Sequence, residues 1–501
     1  MRILHYFLGP QPLHGGGLLK YAHDLAVEQR NQGHEVFLLM PGYHGFPGSR
    51  TRVAFFDHLD GLPVHQIVNP NPVSIGLGIR EPRAFMCEFN KKLFVDYLSL
   101  ARPDIIHVHS LIGLPKELLV AAKVVNIPVV FTAHDYFGIC PTVNLWRYDN
   151  KICNNPLDFR TCQVCNERAP RASYLKLVRN WAYVKYGLRR TPKILKALTG
   201  GAKFARQILG RSGKEHSTNA DIVNEMVKCD HSGHYAILSD YYFSILKMFD
   251  TIICGSSVSL ETYESYFAMR KEKANITVVP LTHMEIRDNR TRIDYRPLFD
   301  GRVHFAYMGY LNNIKGFFRL IETFENLKAL YDNWQLHIYG DYSGINTSVY
   351  DREHYFFHGK YSYKDLDGIF SNSSTLIVPS DCRETYSFVA LEAFSYGIPV
   401  LLSSTVGFKD RIVNKKTGIV FGRDSECDLR DVLIRVLSEP QTLVKFHENI
   451  LADKEFDDLL MSKHWGKMQQ VYQEALESIT NGKEGMVACV YPSPKSSTEL
   501  S

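Results

Sequence analysis

The sequence contains no apolar run long enough to cross a bilayer among its 501 residues. The longest candidate, residues 118–131, is interrupted by Lys123, Asn126 and Pro128. The opening residues, MRILHYFLGPQPL, have too short an apolar core and no small-residue cleavage site, so we expect no signal peptide. Hydrophobic residues make up 45% and charged residues 22%, which is typical of globular proteins. These features predict a cytoplasmic protein, and the length predicts two domains.

A dinucleotide fingerprint and a strong overall charge are also missing. No G-x-G-x-x-G with a downstream acid occurs, which disfavours a dinucleotide-dependent oxidoreductase. The net charge is only +5, but residues 166–216 hold 13 Lys or Arg and two acids, a local net charge of +11. The remainder of the chain is mildly acidic. A local basic patch of this kind indicates an anionic surface as a partner.

Short apolar runs alternate with helical segments along most of the chain. Because these runs are apolar throughout, they predict parallel sheets covered by helices on both faces. The rhythm restarts near residue 300, so we expect an α/β fold of two Rossmann-like, doubly wound parallel-sheet domains, with a helical insertion in the first. The expected divisions are 1–295 for the first domain (with a cysteine loop at 140–165 and a basic insertion at 166–235), 296–462 for the second, 463–480 for a helix that returns toward the first, and 481–501 for a disordered tail.

Ligands of open parallel sheets bind beyond the carboxyl ends of the strands, so polar residues at those ends are candidate site residues. Gly16 and Gly17 follow the first strand and open a helix, where backbone amides can approach an anion. His134 and Asp135 end the strand IPVVFTAH, where a histidine can bind a sugar hydroxyl. A tight turn and a satisfied turn histidine are the alternatives.

The second half offers a stronger set of candidates. Lys315 precedes an amphipathic helix, where its cation opposes the helix dipole unless an anion binds there as well. In ETYSFVALE, residues 385–388, which include Ser387 and Phe388, supply free amides at a helix start. Glu384 and Glu392 can accept hydrogen bonds from sugar and ribose hydroxyls. The alternatives are a capping acid for Glu384 and a salt-bridged acid for Glu392.

These motifs resemble those of the retaining GT-B glycosyltransferases of glycosyltransferase family 4. GGLLKYAHDLAVEQRNQGHEV resembles the opening Gly-Gly and Gly-His-Glu-Val pattern, and ETYSFVALEAFSYGIPVL resembles the E-x7-E signature followed by Gly-x-Pro-Val. The resemblance covers most of residues 1–165 and 245–480. It implies two domains facing across a cleft, and transfer of a sugar with retention from a UDP-, GDP- or ADP-sugar to a saccharide or lipid-linked acceptor, in polysaccharide or cell-envelope glycan synthesis. It also implies no catalytic metal, in agreement with the lack of a convincing D-x-D motif.

The resemblance also implies roles for individual residues. Gly16 and Gly17 would approach the donor phosphate or the acceptor, and His134 would lie beside the transferred sugar. Lys315 would neutralise the diphosphate leaving group, Glu384 would bind sugar hydroxyls, and Glu392 would bind the ribose.

Two positions depart from the family pattern. Tyr310 stands where the family usually has the arginine that pairs with the lysine on the diphosphate. Ser387 stands where the E-x7-E loop usually has glycine, which is tolerable if the backbone there needs no positive φ. These departures leave a non-catalytic glycosyltransferase-like subunit as an alternative. A nucleotide-sugar epimerase of similar two-domain fold is a separate alternative.

Four of the ten cysteines are spaced C-x12-C-x8-C-x2-C: Cys140, Cys153, Cys162 and Cys165. In a reducing compartment this set favours a structural zinc ion, with scattered thiols, a disulfide or an iron–sulfur site as alternatives.

In residues 170–212, Leu, Ile, Trp, Tyr and Phe are interleaved with Lys and Arg at helical spacing, which predicts an interfacial helix on an anionic membrane surface. No nucleic-acid recognition motif is present, so we expect no nucleic-acid partner. A helical hairpin packed on the protein is the other reading.

Overall fold

Short runs rich in Val, Ile, Leu and Phe form two parallel sheets, one after the other along the chain. The computed structural model describes residues 1–13, 15–46, 48–190, 231–422 and 427–488. The predicted insertion therefore lies partly outside the described residues, as does the end of the predicted tail.

The first sheet has eight strands in the order β3-β4-β2-β1-β5-β6-β7-β8. All neighbouring pairs are parallel except β3 and β4, which form an antiparallel hairpin. The strands are β1 (Arg2–Tyr6), β2 (Glu35–Pro41), β3 (Arg52–Leu59), β4 (Leu62–Val68), β5 (Ile105–Val108), β6 (Val129–Ala133), β7 (Thr251–Cys254) and β8 (Ile276–Val278).

The second sheet has six strands in the order β11-β10-β9-β12-β13-β14, all of them parallel. They are β9 (Val303–Met308), β10 (Trp334–Tyr339), β11 (Tyr355–Gly359), β12 (Thr375–Val378), β13 (Val400–Ser403) and β14 (Gly418–Phe421). The predicted α/β architecture of two parallel-sheet domains is confirmed.

Helices cover both faces of each sheet. In the first half they are Gly17–Asn31, Lys91–Ala101, Lys116–Val124, Phe159–Asn166, Ala172–Gly187, Ser232–Leu246 and Ser257–Met269. In the second half they are Phe317–Leu327, Leu366–Ser371, Phe388–Ser395, Lys409–Lys415, Leu429–Ser438, Gln441–Leu451 and Met461–Ala488. None of the described helices combines the length and the hydropathy needed to span a membrane.

Each strand order reverses once near the middle of its sheet. In the first sheet the reversal lies between β1 and β5, and in the second it lies between β9 and β12. The loops that follow these strands leave in opposite directions, which opens a crevice at the carboxyl ends of the strands. This topology directs attention to the residues just after β1, β5, β9 and β12, and to those after β6, which lies next to β5.

The last helix, Met461–Ala488, packs against the first domain. Its apolar side contributes Trp465, Met468 and Tyr472 to the core that covers one face of the first sheet. The helix continues to Ala488, so residues 481–488 are helical, although we expected a disordered tail from 481. Residues 489–501 lie outside the described residues.

We expect Met468→Ala to lower the free energy of unfolding by about 2–5 kcal/mol, because the side chain is fully buried between the last helix and the first domain. Urea denaturation followed by tryptophan fluorescence measures the change. The neighbouring Lys467→Ala is the control, because its ion pair with Asp458 is exposed and contributes at most about 1 kcal/mol. Equal midpoints for the two variants would contradict this packing.

Candidate active site

A cleft of about 1620 Å³, part of it open to solvent, lies between the two domains at the carboxyl ends of their strands. Most of the site residues predicted from the sequence line it. From the first domain these are Gly17, His134 and Asp135, and from the second they are Tyr310, Lys315, Glu384, Ser387 and Phe388. An interface between two domains is a common location for a ligand-binding site.

Lys315 and Glu384 form an ion pair in this cleft, with 2.8 Å between Lys315 Nζ and Glu384 Oε1. Ser380 Oγ also donates a hydrogen bond to Glu384 Oε1. Burial is the largest single influence on the pKa of Lys315 and lowers it. The charge of Glu384 and its hydrogen bond, together with Cys382 and Tyr310, outweigh burial, so the net shift is upward and the ammonium stays charged. The Lys315 ammonium is therefore paired with the Glu384 carboxylate. An anionic ligand in the cleft can take the place of that carboxylate.

Gly316 allows the Lys315 loop to lie directly against the strand end that precedes Glu384. Its φ is +70°, and a Cβ atom at this position would lie 1.8 Å from the carbonyl oxygen of Pro379. The approach is fixed further because the amide of Asp381 donates to the carbonyl of Ile314 at 3.0 Å. Only glycine can occupy this turn, and this contact brings the cation and the acid together.

The helix Phe388–Ser395 begins at the cleft, and Ser387 is its N-cap. The φ of Ser387 is −144°, which is ordinary extended backbone, so serine is tolerated where the family pattern has glycine. Ser387, Phe388 and Val389 all line the cleft. The first-turn amides and the positive end of the helix dipole therefore lie on the same side of the cleft as Lys315.

His134 is half-buried at the opposite wall. The second domain reaches it directly, because Thr385 Oγ1 donates to the main-chain carbonyl of His134 at 2.9 Å. Burial lowers the pKa of the His134 imidazole to about 3, so the ring is neutral at physiological pH. Burial raises the pKa of neighbouring Asp135 to about 6, although the amide of Phe137, which donates to it at 2.8 Å, opposes the shift.

Glu392 and Gly16 are not among the residues that line the cleft. Glu392 is buried beside it, with Oε1 3.3 Å from Nε2 of His283, and burial raises its pKa. Glu392 Oε2, Ser387 Oγ and His283 Nδ1 are buried with no hydrogen-bond partner in the described part of the chain. Gly16 has a φ of +100° and forms the N-cap from which the first helix begins.

The position that usually holds a second cation is neutral here, as the sequence indicated. Tyr310 lines the cleft and is 71% exposed. Arg383 also lines the cleft and donates to the Asn154 side chain of the first domain at 3.0 Å. Arg319 is paired with Asp381 at 2.8 Å and is not among the lining residues. Of these two arginines, only Arg383 lines the cleft, so it is the one that can supply the positive charge that Tyr310 lacks.

Behind His134 lies a set of buried histidines that the sequence did not indicate as part of the site. His5, His107 and His109 have ligand atoms all within 4.8 Å of one another, a spacing that could hold a metal ion. Both nitrogens of each ring, however, already take part in hydrogen bonds to neighbouring side chains. The arrangement is therefore a satisfied hydrogen-bonded network.

The four predicted cysteines lie near one another in the segment that follows His134, with Cys162 and Cys165 on the helix Phe159–Asn166. Burial raises the pKa of Cys162, and the nearby thiols of Cys140, Cys153 and Cys165 raise it further. All four are free thiols. In the described part of the chain, these four sulfur atoms do not all lie within 4.8 Å of one another. Binding of one metal ion would require them to move closer together.

Solved structures similar to this chain share its two-domain fold. A glycosyltransferase from Rickettsia africae has 13% identity and a TM-score of 0.55, with 95% of this chain and 98% of that chain covered. An α,α-trehalose 6-phosphate synthase from Burkholderia multivorans has 12% identity and a TM-score of 0.54, with 100% and 99% covered. Anabaena Alr3699/HepE in complex with UDP has 12% identity and a TM-score of 0.52, with 95% and 100% covered. At these identities the likeness shows the fold alone.

The comparison with curated proteins found no match. Two family models match the chain, one in each of the two domains that form the cleft. The model described as Glycosyltransferase Family 4 matches residues 15–195. The model described as Glycosyl transferases group 1 matches residues 290–452, which hold Lys315 and both glutamates of the E-x7-E signature. The chain is a glycosyltransferase of the GT-B, family 4 type.

Proposed function

We propose that this glycosyltransferase moves a sugar, with retention, from a UDP-, GDP- or ADP-sugar to a saccharide or lipid-linked acceptor in polysaccharide or cell-envelope glycan synthesis. The observation that carries the proposal is the convergence of Lys315, Glu384 and the start of the helix Phe388–Ser395 on one wall of the cleft. A cation and free backbone amides suit a diphosphate, and a carboxylate that accepts hydrogen bonds from hydroxyl groups suits the sugar joined to it.

The diphosphate of the donor binds between Lys315 and the amides at the helix start. Negative charge develops on the diphosphate as the glycosidic bond breaks, and a cation with aligned amides stabilises that charge. Arg383 is close enough to line the same cleft and to add a second positive charge. Because these groups supply the countercharge, we propose that no catalytic metal is required.

The donor competes with Glu384 for the Lys315 ammonium. When the diphosphate takes over the cation, the Glu384 carboxylate is released to accept hydrogen bonds from sugar hydroxyls, while Ser380 continues to hold one of its oxygens. The buried and unpartnered Glu392 Oε2 and Ser387 Oγ lie beside this region, so Glu392 is proposed to meet the ribose. The Anabaena protein of the same fold holds UDP.

A membrane surface is the proposed location of the acceptor, at the inner face of the membrane in the cytoplasm. The helix Ala172–Gly187 buries Leu175 and Arg179 against the first domain. Its outward side exposes Tyr174, Leu177, Val178 and Val184. Arg171 at the N-cap of this helix and Lys176 within it are exposed, and Lys185 is half-buried. Basic and apolar residues on one exposed helix favour anionic lipid.

The cysteine loop is proposed to hold a structural zinc ion. Cys140, Cys153, Cys162 and Cys165 supply four sulfur ligands, which is a complete donor set for a closed structural site. The loop follows His134 and Asp135 directly, and its Asn154 contacts Arg383 of the second domain. Zinc would therefore stabilise the wall of the cleft and take no part in the chemistry.

Lys315→Met is expected to lower kcat by about 10²–10³-fold, because it removes the charge that stabilises the leaving diphosphate. Turnover is measured with a panel of nucleotide sugars and membrane-derived acceptors. Lys328→Met is the matched control, since Lys328 forms an ion pair with Asp351 outside the cleft. A Lys315 variant as active as the control would exclude this role.

Leu177→Glu combined with Val184→Glu should weaken binding to vesicles that contain phosphatidylglycerol by at least about tenfold, because two exposed apolar contacts with lipid become charged. Co-sedimentation measures the bound fraction. Leu100→Glu, which changes an exposed leucine on another helix, should bind like the wild type. Unchanged binding of the double variant would argue against this membrane surface.

The zinc proposal predicts about one zinc ion per chain in protein purified without added metal. Elemental analysis measures this ratio. Changing Cys162 and Cys165 to Ser should abolish the metal and lower the thermal midpoint. Cys87→Ser, a half-buried thiol elsewhere in the first domain, should retain the metal. Metal-free protein with the wild-type thermal midpoint would refute the proposal.

A further inference from the structure

The imidazole of His134 lies at the end of a chain of buried hydrogen bonds. His134 Nε2 meets His109 Nδ1 at 3.3 Å, His109 Nε2 meets His5 Nδ1 at 2.8 Å, and His5 Nε2 meets the Gln29 carboxamide oxygen at 2.6 Å. His5, His109 and Gln29 are fully buried. The protonation pattern of one ring in this series therefore fixes the pattern of the next.

A second chain runs from Gln29 to the last helix. The Gln29 amide nitrogen donates to Tyr472 Oη at 3.2 Å, and Tyr472 Oη meets His107 Nδ1 at 2.6 Å. His107 Nε2 meets Thr132 Oγ1 at 2.7 Å.

The Gln29 carboxamide sets the direction of the hydrogen bonds. Its nitrogen can only donate, and it donates to Tyr472 Oη, whereas its oxygen can only accept, and it faces Nε2 of His5. On its other side the Tyr472 hydroxyl meets Nδ1 of His107, a ring that burial keeps neutral by lowering its pKa well below the usual value. Nε2 of His5 must therefore carry the proton of the hydrogen bond that the Gln29 oxygen accepts.

The same logic fixes the three histidines that lead to the cleft. His5 donates from Nε2 to Gln29, and burial lowers its pKa to about 4, so its Nδ1 is bare. His109 must donate to it from Nε2, which leaves Nδ1 of this neutral ring bare. His134 must donate from Nε2 to His109. Its Nδ1 then carries a lone pair and makes no hydrogen bond to any described residue.

We propose that Gln29, His5 and His109 are positioning residues that hold His134 as its Nε2–H tautomer, so that Nδ1 accepts a hydrogen bond from a hydroxyl of the transferred sugar. This inference rests on the proposed function for the identity of that ligand. A neutral acceptor suits a sugar whose anomeric carbon becomes positive, whereas an imidazolium or an N–H directed at the sugar would oppose that charge.

The tautomer of His134 can be measured without any substrate. Full-length protein labelled with ¹⁵N-histidine is studied by NMR at pH 7, and the signal of His134 is assigned with His134→Asn. The wild type is expected to show the Nε2–H tautomer. An Nδ1–H tautomer or an imidazolium would overturn the proposal, whatever the activity of the protein.

Gln29→Leu should break the series at its origin. The His134 signal is then expected to shift toward the Nδ1–H tautomer, and kcat/KM for the donor is expected to fall about tenfold, the scale of one lost hydrogen bond. Leu25→Ala, a fully buried change one turn earlier on the same helix, disturbs packing but should leave the tautomer unchanged. An unchanged tautomer in Gln29→Leu would refute the relay.

The two readouts separate this proposal from the one on which it rests. If the tautomers behave as expected but no sugar transfer is found with any donor, the relay holds and the proposed function fails. If Gln29→Leu does not fold, the wild-type tautomer alone decides the question.

Discussion

The facing carboxyl ends of two parallel sheets are the constraint on which the rest of this structure depends. Parallel strands connected by helices deliver their following loops to a single edge, and each sheet opens a crevice where its strand order reverses. The hydroxyl of Thr385 joins the two edges by donating to the carbonyl of His134. As a result, side chains far apart in sequence line one cleft, and each domain supplies a different part of the chemistry.

The charges in the cleft are divided between its walls. The second domain provides the Lys315 ammonium and the helix start at Ser387, both suited to phosphate. The first domain provides His134, a neutral ring because burial lowers its pKa, and Asp135, an acid whose pKa burial raises. A donor lying across the cleft would therefore have its anionic part on one wall and its uncharged sugar near the other.

Much of the fold and part of the site could be predicted from the sequence, because both depend on local patterns. Buried parallel strands are apolar along their whole length, and Lys315 and Glu384 lie in the loops that follow β9 and β12. The hairpin β3–β4 was missed, although Asp60 and Gly61 at its turn are a known hairpin signal. The network behind His134 could not be predicted, because Tyr472 and Gln29 are 443 residues apart and meet only through packing of the last helix.

The most direct measurement for the central claim is the structure of the protein in complex with a nucleoside diphosphate. The account predicts a phosphate oxygen within about 3 Å of Lys315 Nζ, with the diphosphate against the amides at the start of the helix Phe388–Ser395. Glu384 should then be separated from the lysine. A diphosphate bound elsewhere, with the ion pair between Lys315 and Glu384 intact, would contradict it.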